Sequence, residues 1–67
     1  MDPLYPDIIV PLSEEDGNIF FIIGRVSKAM RRAGISNEDI TAFRERVRAS
    51  HNYDEALQAV MATVNVS

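Results

Sequence analysis

The spacing of hydrophobic and polar positions changes several times along this chain, and each change marks an element. Asp7-Ile-Ile-Val-Pro-Leu12 alternates, with Ile8, Val10 and Leu12 on one face, and predicts a strand over 7–12. Pro11 has no amide to give to a ladder, so the strand belongs at a sheet edge. From Glu14 to Ala33 the period becomes helical. Ile19, Ile22, Ile23, Val26, Ala29, Met30 and Ala33 fall in one arc, predicting a helix over 14–33. Ser13, with Asp16 three residues on, has the form of a capping box, and Gly34 suits the C-terminal cap.

Ser36 and Asp39, bracketed by Ile35 and Ile40, mark the start of a second helix over 37–49. Its inner face is Ile40, Phe43 and Val47. Asn52 and Glu55 repeat the capping logic for a third helix over 53–61, with Tyr53, Ala56, Leu57 and Val60 inward. Thr63-Val-Asn-Val66 alternates again and predicts a strand over 63–66. Residues 1–6, with Pro3 and Pro6, read as an extended arm. The predicted fold is one mostly helical α+β domain spanning 1–67. Its order is β-α-α-α-β, with the N- and C-terminal strands pairing beside a three-helix layer.

A rival reading exists for residues 7–23. Asp16-Gly17 suits a tight turn and Ile19-Phe-Phe-Ile-Ile23 is β-prone, so 7–12 could pair with 19–23 as a hairpin. The helical period runs unbroken to Ala33 and favours the helix.

Composition narrows the function classes. A domain of 67 residues is near the lower limit for independent stability and usually gains help from a disulfide, a metal or a second subunit. The chain has no cysteine and a single histidine, His51, so no disulfide, cofactor or metal site is expected. Self-association or very close packing remains, and a homodimer is the expectation. The longest apolar run, Ile19 to Ile23, is far short of the ~20 residues that span a bilayer. The opening Met-Asp-Pro-Leu-Tyr-Pro-Asp is acidic and unlike a signal peptide. With the lack of cysteine, this predicts a cytoplasmic protein.

Net charge is −3, and its distribution is uneven. Residues 1–24 carry five acids and no base; all seven basic residues lie between Arg25 and Arg48; residues 49–67 carry only Asp54 and Glu55. The chain therefore reads acid, base, acid along its length.

No phosphate loop, dinucleotide fingerprint, nucleophile elbow or histidine zinc motif is present. With Gly17 as the sixth position of a calcium loop, the first and twelfth positions would be Leu12 and Ile23, which cannot ligate. His51, in the link between helices two and three, reads as a solvated or turn-capping imidazole. No catalytic residue is assigned, and the chain is read as non-enzymatic.

Two surface features remain. Phe21 projects well away from the core arc, on the face of Arg25, Lys28 and Arg32, and Phe20 sits at the other edge of the polar side, near Ser27. Gly24 lies between them, where another backbone could approach. Phe20, Phe21, Gly24, Arg25 and Lys28 form the candidate interface, unless Leu4 and Tyr5 of the arm fold over it. The second feature is basic. Arg25, Lys28, Arg31 and Arg32, with Arg44, Arg46 and Arg48 on helix two, could contact phosphates. Glu38, Asp39 and Glu45 interrupt that cluster, and a solvated face is the plainer account.

The motifs Glu15-Asp-Gly-Asn18, Gly24-Arg-Val26 and Arg31-Arg-Ala-Gly34, with Tyr53-Asp54 and the terminal Val64-Asn-Val66, carry a resemblance across nearly the whole chain. It resembles a family of short bacterial, plasmid and prophage proteins. The resemblance implies a bacterial or phage origin and assigns no role to any residue; small proteins of mobile elements often act by binding, host proteins included. The expectation is a non-enzymatic protein-binding module acting as a dimer. The alternative is a small protein that binds nucleic acid through the basic face of the first helix.

Overall fold

The computed structural model describes residues 2–11 and 18–67. Element order is β1 (Tyr5–Val10), α1 (Ile19–Arg32), α2 (Asn37–Arg48), α3 (Tyr53–Thr63) and β2 (Val64–Val66). This is the mostly helical α+β architecture, in the order β-α-α-α-β, that the hydrophobic pattern predicts.

Residues 19–23 are helical, so the hairpin reading is excluded. The predicted start of the helix at residue 14 is corrected to Ile19. Asn18 supplies the cap, its side-chain oxygen accepting from the Phe20 amide at 2.9 Å. The proposed Ser13 cap lies outside the described residues. At the far end Gly34 adopts φ +86°, which glycine reaches without steric cost. There Ile35 N–H donates to the Met30 carbonyl and Gly34 N–H to that of Arg31, closing the helix with a left-handed cap. Ala33, expected on the inner arc, is the C-cap residue and is exposed.

Ser36 caps α2 by accepting from the Asp39 amide at 3.2 Å, and Asn52 caps α3 by accepting from the Glu55 amide at 2.9 Å. Glu55 in turn accepts from the His51 backbone N–H at 2.7 Å. Both helix starts are therefore where Ser and Asn followed by an acid place them.

β1 begins two residues before its predicted start and ends at Val10, ahead of Pro11. It pairs with β2 in parallel, with Tyr5 opposite Val64 and Val10 opposite Val66, and an irregularity between Tyr5 and Ile9. Among the described residues the sheet has only these two strands, so each is an edge, which accommodates Pro6. Leu4 N–H to the Ala62 carbonyl and Ser67 N–H to the Val10 carbonyl extend the pairing at both ends. α3 runs into β2 without a loop.

The core joins all five elements. Val10, Ile22, Val26, Met30, Phe43, Val60 and Val64 are its most deeply buried apolar members. Ser27, read as polar-side, is buried instead, and its Oγ has no hydrogen-bond partner among the described residues. Tyr53, expected inward, is 41% exposed because it occupies the first turn of α3, at the rim of the core.

Candidate interaction surface

α1 is amphipathic over its whole length, and its two sides are unlike. Ile22, Ile23, Val26, Ser27 and Met30 are buried. The opposite side carries Phe20, Phe21, Gly24, Arg25 and Lys28, all exposed. Phe20 is 69% and Phe21 66% exposed, so Leu4 and Tyr5 do not cover them. Leu4 is itself exposed, and Tyr5 packs against the core. The five candidate residues, with Asn18, line one shallow depression of about 580 Å³.

Gly24 is one of the residues that line this depression. A Cβ built on it would meet nothing within 4 Å. Glycine inside a helix costs about 0.5–1 kcal/mol relative to alanine, and no packing among the described residues offsets that cost. Gly24 is exposed and faces outward from the described residues.

A second open groove of about 630 Å³ adjoins the first, sharing Asn18 and Phe20 with it. Its far wall is Val47, Arg48, His51, Tyr53 and Ala56. Phe20 thus forms a ridge between the two depressions, and the apolar surface continues from Phe21 across α1 to Tyr53 on α3. Helical periodicity placed Tyr53 in the core; its position at the first turn was the signal for exposure.

The cations divide into separate groups. Arg25, Lys28 and Arg32 line a groove of about 600 Å³ between α1 and β1, together with Asp7 and Ile9. Arg25 Nη1 donates to the Pro11 carbonyl at 3.1 Å. Arg31 is exposed and is not part of that groove. On α2, Arg46 bonds Thr63 and Arg48 lines the groove beside His51, so neither lines the groove of the α1 cations. Among the described residues, no three His, Cys, Asp or Glu side chains are grouped so as to hold a metal ion. Among the described residues no helix is long and apolar enough to cross a membrane.

Compared with protein-family models, with curated proteins and with solved structures, the chain gives no match.

Proposed function

We propose that this chain is a non-enzymatic protein-contact module that works through the outward face of α1. The observation that carries the reading is the pairing of two adjacent, well-exposed phenylalanines with a glycine whose Cβ position is empty. Single exposed apolar residues are ordinary. Two aromatic rings around an open backbone, continuous with Tyr53 and bordered by Arg25, form the combination of aromatic residues and arginine that is enriched at protein interfaces. A glycine that meets nothing among the described residues fits a close approach from outside.

The test is Phe21→Ser, followed by sedimentation velocity of the chain alone and with any captured partner. Association should weaken at least tenfold while helical circular dichroism is retained. Unchanged association in both Phe20→Ser and Phe21→Ser would assign the contact to another surface.

A further inference from the structure

We infer that the groove between α1 and β1 takes a short, extended, acidic segment of a partner protein, which adds to β1 as a third strand. The surface lies beside the phenylalanine face and does not depend on it. The direction of the backbone is the first reason. The Val10 carbonyl accepts from Ser67 N–H, so Val10 turns its backbone polar groups towards β2. One residue on, the Pro11 carbonyl accepts from Arg25 Nη1 on the groove side. Successive residues of an extended chain direct their N–H and C=O to opposite edges. Ile9 stands one residue before Val10, so it presents both its N–H and its C=O to the groove. Among the described residues β1 pairs only with β2, and an open strand edge is a template for a further strand.

Shape is the second. Every residue from Asp7 to Pro11 lines the groove. A strand alternates its side chains between two faces, so a groove that meets each residue in turn runs along the edge. The opposite wall is one stripe of α1, where Arg25, Lys28, Ala29 and Arg32 recur at helical spacing. The small side chain of Ala29 leaves room between the cations. The β1 wall is about 16 Å long, which matches a segment of about five extended residues. Ile9 is 61% exposed and gives an apolar side chain of the incoming strand a cross-strand neighbour. Pro11 has no N–H, so the ladder stops there and the occupant is short.

Charge complementarity is the third, and it sets the chemistry of the occupant. Arg25, Lys28 and Arg32 line the groove against one acid among its described residues, Asp7. Along α1 these cations follow one another at about 4.5 and 6 Å. Alternate residues of a strand lie about 6.6 Å apart on one face. Carboxylates at every second position of the segment therefore keep step with the row, and a basic segment is repelled. A nucleic-acid backbone would answer the cations, but its phosphates bring acceptors only and offer no donor to the Ile9 carbonyl. A peptide backbone brings both.

The test uses the full chain and a fluorescein-labelled hexapeptide of alternating glutamate and valine, followed by fluorescence anisotropy. Binding should saturate, and the same peptide with lysine for glutamate should not bind. Lys28→Glu and Arg32→Glu should each weaken binding roughly tenfold or more. Arg31→Glu changes the same charge outside the groove and should alter it by about twofold or less. Two further peptides, N-methylated at alternate amides in either phase, separate strand addition from charge alone without altering the protein. One phase should lose binding. In heteronuclear NMR the Ile9 amide should shift on binding and exchange more slowly with solvent. Equal binding of both methylated peptides would overturn the proposal, as would equal losses in Arg31→Glu and Lys28→Glu. Absence of saturable peptide binding would also overturn it, and binding of oligothymidylate in its place would assign the cation row to phosphates.

Discussion

Arg46 of α2 donates from Nη2 to the Oγ1 of Thr63 at 3.3 Å, and that hydroxyl donates onward to the Ala59 carbonyl at 2.9 Å. Thr63 is buried at the point where α3 becomes β2. An arginine that charge counting assigns to a phosphate-binding cluster is thus a strut between two helices and a strand. Arg46→Ala should destabilise the fold by about 1–2 kcal/mol, because a charge-assisted bond to a buried hydroxyl is lost. In a double-mutant cycle with Thr63→Val by urea denaturation, the two changes should be clearly non-additive. Strict additivity would show that the contact contributes nothing.

Ser27 offers the opposite sign. Its buried Oγ has no partner among the described residues, so the hydroxyl loses water and gains nothing in return. Ser27→Ala also raises helix propensity. The variant should be stabilised by roughly 0.5–1.5 kcal/mol, read as a higher urea midpoint at unchanged slope. A lower midpoint would mean that the hydroxyl is satisfied in solution.

Phe21 and Phe43 are a matched pair for separating surface from core. Phe43 is wholly buried, and Phe43→Ser should cost about 3–5 kcal/mol, enough to unfold a domain of this size. Phe21→Ser should change the stability of the isolated chain by about 0.5 kcal/mol or less. Thermal melts followed by circular dichroism distinguish the two, and equal losses would place Phe21 in the core.

Gly24→Ala should raise the stability of the single chain by about 0.5–1 kcal/mol, since the added methyl meets no atom and the unfolded chain loses freedom. In sedimentation the same variant should associate more weakly. A variant both less stable and equally associated would contradict the open position of Gly24.

The basic groove leads to a further expectation. Arg25 already donates to the Pro11 carbonyl, and the chain is acidic overall. Mixed-sequence duplex DNA at physiological salt should therefore give no mobility shift at micromolar protein. A shift that weakens steeply with salt would instead assign Lys28, Arg31 and Arg32 to phosphate contact.

Much of the architecture was legible because local rules agreed with one another. Ser36 with Ile35 and Ile40, and Asn52 with Glu55, mark helix starts by side-chain chemistry that needs no tertiary information. The start of α1 was misplaced because two capping residues compete, Ser13 and Asn18, and sequence spacing does not rank them. Ser27 was misassigned because burial depends on how neighbouring helices cross, not on the wheel of one helix, and Tyr53 because it lies in the first turn of α3, at the rim of the core. Arg46 illustrates the limit for charge, whose role depends on a partner on another element. Phe20, Phe21 and Gly24 could be read as exposed because they fall outside the apolar arc of a single long helix.

The parallel pairing of β1 with β2 also orders the events of folding. A parallel ladder cannot zip up from a tight turn, so β1 has no local nucleus. Its partner arrives only after three helices have folded back, and the whole chain must close as a loop before the first strand bond forms. Helix pairing between α2 and α3 is local by comparison and belongs early. Substitutions at Val10 or Val64 should then act chiefly by speeding unfolding, whereas those at Phe43 or Val60 should slow folding.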